Sequence, residues 1–517
     1  MVPSYSPEAL TDFSLESNRR PVAAALDDVA SRVGQRYPLI IGGARIETDN
    51  AFPSLNPSQP DEVVGYAASG TKEHAERAMA AALEGFARWS RVPHADRARL
   101  LLKAAAIMRR RKPALTAWEI LEAGKSWPEA DADVAEAIDF LEYYGRQIME
   151  LGYPHPLTPQ PGEDNELDYI PLGVGLVIPP WNFPLAIPTG MVAAALAGGN
   201  AVIFKPAEQT PVIAYQLVEI LEAAGLPAGV LQFLTGNPAE VGEPLVVHPK
   251  TRFISFTGSR EVGLRINRLA AEMAPGQIWI KRVIAEMGGK DAIIVDSSAD
   301  LAAAAAGIVT SAFGFQGQKC SACSRAILLD DVYDAVLADV AARTEQLRLG
   351  PARDYENTHG PVIDEDAYNK ILGYIDIGKG EGRLAAGGVA GGSPSGGYFI
   401  EPTIFADVPP GARIAQEEIF GPVLTVLRAR DYDEALRIAN DTPYGLTGAV
   451  YARDRSKLEQ ARREFHVGNL YFNRKCTGAI VGTHPFGGFN LSGTDSKAGG
   501  PDYVKLFMQP KAITEAL

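Results

Sequence analysis

Cysteine is almost missing from this chain: Cys320, Cys323 and Cys476 are all that 517 residues contain. Three thiols cannot build a disulfide framework, so a packed core must hold the fold, and a reducing, cytoplasmic setting is expected. Histidine is sparse as well, seven scattered residues with no HExxH and no pair at helical spacing, so no metal site is expected. Positive charge is in deficit, 49 Lys and Arg against 63 Asp and Glu for a net charge of -14. That balance disfavours a nucleic-acid partner, whose phosphate contacts need clustered Lys and Arg. Long hydrophobic runs are missing too. The longest nearly apolar stretch, 190–204, is broken by Gly198, Gly199 and Asn200, where roughly 20 unbroken residues would be needed to cross a bilayer. The N-terminal segment mixes Glu8, Asp12 and Glu16 with Arg19 and Arg20 and has no apolar centre, so neither a signal peptide nor a membrane partner is expected.

Several nucleotide and hydrolase signatures are also absent. There is no GxGxxG and no GxSxG. The run from Gly373 to Lys379 has Walker spacing, but Gly380 stands where a hydroxyl should hold magnesium. Gly124, Lys125 and Ser126 end like a Walker motif, but Glu119 occupies its first glycine.

What is present is an ordinary globular composition, 46% apolar and 22% charged, and a length that suggests roughly three structural units. Residues 74–150 carry apolar side chains at three- and four-residue spacing and read as helical. The stretch 151–168 holds Pro154, Pro156, Pro159 and Pro161 before Glu163, Asp164 and Glu166. It reads as a linker, an exposed hairpin or an arm toward a partner. An α/β rhythm follows, with strands expected at 173–178, 201–204, 230–234 and 252–256 and helices at 185–197, 211–224 and from 259. A second run places strands at 292–295 and 326–329 and helices at 299–313 and 331–348. Such alternation predicts parallel sheets covered by helices on both faces. Residues 386–397 (AGGVAGGSPSGG) read as a glycine-rich surface loop.

Cys320 and Cys323 form a CxxC, which by itself fits a packing pair, a redox dithiol or half a zinc site. Cys320, however, follows the glycine-rich GFQGQK and adjoins Lys319, a setting expected to expose and partly ionise a nucleophilic thiol. Glu286 ends an apolar strand just before Gly288 and Gly289. Asn182 sits in PPWNFP after a buried strand, at the end where α/β sheets bind ligands.

Taken in order, IPPWNFP, FKPAEQTP (204–211), SFTGS (255–259), AEMGGK (285–290), GFQGQKCSA (314–322), EEIFGP (417–422) and PFGGFNLSG (485–493) resemble the motif series of the aldehyde dehydrogenase superfamily. The resemblance spans nearly the whole chain. It implies an α/β fold with a Rossmann-like NAD-binding domain (1–150 and 171–284, with an N-terminal extension) and an α/β catalytic domain (285–482). A small β oligomerisation element (151–170 and 483–517) completes it. It implies Cys320 as nucleophile, the Asn182 amide and the Cys320 N–H as oxyanion donors, and Glu286 as the base that hydrolyses a thioester. For NAD it implies Ile178, Pro179, Trp181, Lys205, Glu208, Gly258, Ser259, Glu286, Gly288, Glu418 and Phe420; a carboxylate at 208 favours NAD over NADP. Cys323 is implied to be a packing residue.

Three features resemble the branch of the family that oxidises L-glutamate γ-semialdehyde, formed from 1-pyrroline-5-carboxylate, to glutamate in proline catabolism. They are Lys319 and Ser321 flanking the nucleophile, the loop TGAIVG (477–482), and the N-terminal extension with Thr11, Asp12, Phe13 and Ser14. Gly478 and Ala479 are implied to present N–H groups to the substrate's carboxylate, with Phe183 and Phe486 walling its chain and Glu136 facing the pocket to balance Lys319. Another semialdehyde or betaine-aldehyde dehydrogenase is the nearest alternative. A homo-oligomer, a dimer or a dimer-based hexamer, is implied as well.

Overall fold

The computed structural model describes residues 4–153, 155–392 and 396–517. Two seven-stranded sheets organise it. The first runs, in spatial order, Arg282–Glu286, Thr251–Thr257, Val174–Ile178, Ala201–Phe204, Leu231–Phe233, Leu39–Ile41 and Ala44–Ile46. Its first five strands are parallel, and the last two form an antiparallel edge. Alternation along these strands decides which face each residue covers. Val177, Val202, Phe204 and Phe253 enter one core with the helices Lys112–Ala123, Trp127–Leu151, Ala186–Ala197 and Pro211–Ala224. Leu176, Ile203 and Ile254 enter another with Lys72–Trp89 and Arg260–Ala271. Both faces are covered, as the near-continuous apolar strand sequences predict.

The second sheet runs Arg383–Ala386, Thr403–Ala406, Val423–Ala429, Cys323–Leu329, Asp291–Val295, Thr447–Tyr451 and Asn469–Phe472, parallel except at its first edge. It builds a core of its own. Its second half went unassigned in the sequence, although three of its helices carry a legible start. Asp364, Asp431 and Asp454 each accept a backbone N–H two or three residues ahead, the side-chain capping that ends a strand-to-helix loop. Two N-terminal features were also unforeseen: the helix Glu16–Ala30, which contains Pro21, and the small sheet of Gln35–Tyr37, Gln59–Ala68 and Ala51–Asn56. A proline inside the helix and short, half-polar strands obscure both periods.

The proline-rich stretch is an arm. Glu163–Pro171 pairs with Met508–Ala516 over nine register positions and with His155–Pro156 on its other side. Of the expected C-terminal unit 483–517, only this last strand joins the arm. Phe486 instead bridges Ala498, and Gly493 bridges Glu286 in the interior. Pro154 and residues 393–395 of the glycine-rich loop lie outside the described residues. Among the described residues no helix is long and apolar enough to cross a membrane.

Candidate active site

In the first sheet Val174–Ile178 lies between Ala201–Phe204 and Thr251–Thr257, so the chain leaves it to both sides. At such a switch point a crevice opens beyond the carboxyl ends of the strands. Half-buried Ile178, buried Pro179 and half-buried Trp181 follow one strand, and Gly258 and Ser259 follow the other. The Ser259 hydroxyl accepts the Val262 N–H and starts Arg260–Ala271, and the Gly258 N–H donates to the Glu286 carbonyl at 3.1 Å. Lys205, just past Ala201–Phe204, is 5% exposed, and its ammonium has no hydrogen bond or ion pair among the described residues. Burial lowers its pKa against the pull of exposed Glu208. A buried cation without a partner is costly, so this corner suits a ligand bearing hydroxyls or phosphate. Glu418 accepts the Gly289 N–H at 3.0 Å. A Cβ on Gly288 would fall 2.0 Å from the Glu418 carboxylate, so only glycine permits that approach. Trp181 meets Phe420 edge-on at 5.5 Å. An orphaned ammonium, a helix start, a rim carboxylate and an aromatic wall together fit a dinucleotide.

Cys320 reaches this crevice from the second sheet. The helix Leu301–Phe313 ends in a tight turn where Phe315, Gln316 and Gly317 all have positive φ (48°, 56° and 66°). At Gly317 a Cβ would sit 2.3 Å from the Gly421 carbonyl oxygen, so side chains are excluded there and the turn is fixed. Cys320 is half-buried. Burial first, then the charges of Asp291, Glu418 and Glu286, push its thiol well above the ordinary range. This corrects the expectation of a partly ionised cysteine beside a lysine. Lys319 is turned onto Glu129, Nζ to carboxylate 2.6 and 2.7 Å, and sequence adjacency confers no ion pair on the sulfur. Asn182 is 3% exposed, and its Nδ2 donates to the Gln318 carbonyl at 3.0 Å, two residues before the thiol. A Cβ on Gly289 would lie 2.4 Å from the Cys320 carbonyl oxygen, so the glycine pair after Glu286 lets the two segments touch.

Glu286 ends the edge strand of the first sheet. Its carboxylate accepts the Ser496 hydroxyl at 2.6 Å, the Gly488 N–H at 3.1 Å and the Ser496 N–H at 3.4 Å. Cβ atoms on Gly487 or Gly493 would each come within 3.0 Å of it, so the glycines of PFGGFNLSG shape a close cradle. Burial pushes the Glu286 carboxyl up to about 7, against these hydrogen bonds and Lys497, which pull it down. A group poised there can hold or take a proton near neutral pH.

The expected substrate residues divide. Phe183 is half-buried with the Lys125 ammonium 4.5 Å and the Lys319 ammonium 6.0 Å from its ring centre. Ser321 is buried and Phe486 half-buried. The N–H groups of Gly478 and Ala479 donate to nothing among the described residues. Glu136 is half-buried on Trp127–Leu151, and burial, then Asp133, push it to about 8. It is therefore not a solvated helical carboxylate, yet the partner of Lys319 is Glu129, which the sequence reading missed. Cys323 is buried in the second core, and no group of His, Cys, Asp or Glu among the described residues could hold a metal.

Residues 45–513 match the Aldehyde dehydrogenase family. The chain belongs to that family. The chain is 61% identical over 515 residues, covering 100% of both chains, to the 1-pyrroline-5-carboxylate dehydrogenase of Geobacillus kaustophilus (strain HTA426). A solved 1-pyrroline-5-carboxylate dehydrogenase from Thermus with bound NAD is 55% identical, with a TM-score of 0.98 over 100% of both chains. A Staphylococcus aureus betaine aldehyde dehydrogenase in complex with NAD+ is more distant, 29% identical, with a TM-score of 0.89 over 96% of this chain and 97% of that one.

Within this aldehyde dehydrogenase family member, two further contacts support the site and carry no motif. Asp133 accepts the Ala186 N–H at 2.6 Å, at the start of the helix that follows Asn182 and Phe183. Lys125, 1% exposed, bonds the other Asp133 oxygen and lies 3.2 Å from Glu119. Ser496 lies three residues past the last quoted motif, and like Asp133 and Lys125 it carries no local signal of its partner.

Proposed function

We propose that this chain oxidises L-glutamate γ-semialdehyde, in equilibrium with 1-pyrroline-5-carboxylate, to L-glutamate with NAD, in proline catabolism. The observation that carries the reading is the meeting of Cys320, the Asn182 amide and Glu286 where two parallel sheets face one crevice. The full-length similarity to dehydrogenases named for pyrroline-5-carboxylate chooses the aldehyde.

The Cys320 sulfur adds to the aldehyde carbon, and its proton leaves toward Glu286 or water. The alkoxide that forms takes the second N–H of Asn182 Nδ2, the first being held by Gln318, together with the Cys320 backbone N–H. Bound NAD accepts the hydride from that carbon. A thioester on Cys320 remains, and Glu286 takes a proton from the water that attacks it, releasing glutamate and the thiol. Lys205 and Glu208 hold the adenosine ribose, Gly258, Ser259 and Trp181 flank the pyrophosphate, and Glu418 and Phe420 hold the nicotinamide half, with Ile178, Pro179 and Gly288 lining the channel. Residues 1–150 and 171–284 serve as the dinucleotide domain and 285–482 as the catalytic domain.

The arm serves a homo-oligomer, a dimer or a dimer-based hexamer. From Gln509 on, its last strand is half-buried or exposed, and Leu157 is 40%, Ile513 36% and Leu517 87% exposed. A thin sheet with this little burial gains stability from a second copy. The direct test is NADH formation from pyrroline-5-carboxylate beside succinic semialdehyde, with wild type and Cys320→Ala. Strong preference for the former and a dead variant are expected. Equal use of both aldehydes defeats the substrate, and an active variant defeats the mechanism.

A further inference from the structure

The cations around the nucleophile are nearly all committed. Lys319 is held by Glu129, Lys125 by Asp133 and Glu119, and Arg474 donates to the carbonyls of Thr477 and Gly478. Lys475 makes no hydrogen bond and no ion pair among the described residues. Its place is nevertheless well defined. The next residue, Cys476, donates its N–H to the Ser311 hydroxyl at 3.2 Å and its thiol to the Ser321 carbonyl at 3.4 Å. Lys475 is thereby tied to the segment that immediately follows Cys320. Its far end lies over the 477–482 loop, where a Cβ built on Gly478 would be 3.3 Å from Cε and 3.4 Å from Nζ. The unpaired N–H groups of Gly478 and Ala479 belong to the same loop. Lys475 is exposed, but neighbouring atoms partly desolvate its ammonium; that desolvation and the charge of Lys319 lower its pKa, with Glu129 opposing them. Glu129, Lys319 and Lys475 together carry one net positive charge.

The geometry points to Lys475 as a specificity-determining residue: its ammonium receives the carboxylate of the aldehyde substrate beside the N–H groups of Gly478 and Ala479. This rests on the glutamate-semialdehyde reading and moves the cationic contact from Lys319, whose charge is spent on Glu129, to a residue no motif singled out. An ammonium paired with a carboxylate in a partly desolvated site makes one of the stronger hydrogen bonds available to a protein. Because the contact is remote from the reacting carbon and present before and during reaction, its loss should appear in KM.

The test compares wild type, Lys475→Met and Lys475→Arg with pyrroline-5-carboxylate and with pentanal, an aldehyde of the same chain length without a carboxylate. For Lys475→Met, KM for pyrroline-5-carboxylate is expected to rise on the order of tenfold, the loss of one charge-assisted hydrogen bond. The kcat at saturation, KM for NAD and both constants for pentanal should stay within about twofold of wild type. Lys475→Arg should recover most of the loss. An unchanged KM for pyrroline-5-carboxylate overturns the proposal, and so does an equal loss with pentanal, which would mark Lys475 as merely structural. If wild type itself handles both aldehydes alike, the parent reading has failed, and that result is visible without any variant.

Discussion

Burial at Glu286 has two consequences of opposite value, and both can be measured. With its carboxyl raised from an ordinary 4.5 to about 7, the base form grows in as pH rises through neutrality, so turnover limited by hydrolysis should climb through about pH 7. In Glu286→Gln this limb should vanish, with one equivalent of NADH released rapidly and little after it. The same shift costs stability. The folded carboxyl binds its proton more tightly than the unfolded one, so its contribution is intact below the unfolded value and declines as pH rises toward about 7. Calorimetry should therefore find Glu286→Gln melting higher than wild type at pH 8 and no higher at pH 5. At Asn182, truncation to Ala should raise the barrier by about 2.7–4 kcal/mol, the usual loss of one oxyanion donor, read as kcat with binding of NAD unchanged. Cys320, Asn182 and Glu286 were legible because each sits inside a contiguous motif whose backbone does much of the placing. Ser496, Glu129 and Lys475 were not. Their roles depend on pairings such as Ser496 with Glu286 across 210 positions and Lys319 with Glu129 across 190, and no local pattern encodes such distances.

Among the elements, the helix Ala186–Ala197 is apolar along nearly its whole length and buried. Its first N–H, at Ala186, takes its partner from elsewhere, the Asp133 carboxylate. Asp133→Ala should destabilise the fold by about 3–5 kcal/mol, because it leaves the Lys125 ammonium buried with only Glu119 beside it. Denaturant titration reads that loss. The arm poses the reverse case, a sheet with too much surface for its own stability. Removing residues 508–517 should leave Glu163–Pro171 without its long partner and convert the proposed oligomer to smaller species by light scattering; an unchanged mass would contradict the oligomerisation role. The strands and helices expected between residues 74 and 348 followed their apolar periods. Beyond it, short strands and polar helices hid the same rhythm, and the aspartate caps were the signal left unread.

For the molecule as a whole, composition and alternation foretold parallel α/β sheets. What they could not foretell is that the carboxyl ends of one sheet meet the turn before Cys323–Leu329 of the other, because that junction is made by Gly288 and Gly289 through the space their missing side chains leave. The central claim is that Cys320 alone carries the acyl group between aldehyde and water. The most direct measurement is peptide mass spectrometry of Glu286→Gln quenched after one turnover with NAD and pyrroline-5-carboxylate. A glutamyl adduct on the peptide containing Cys320, labile to hydroxylamine and absent from Cys476, is the predicted result. NADH formed with no adduct on Cys320, or with the adduct on another residue, would contradict the account.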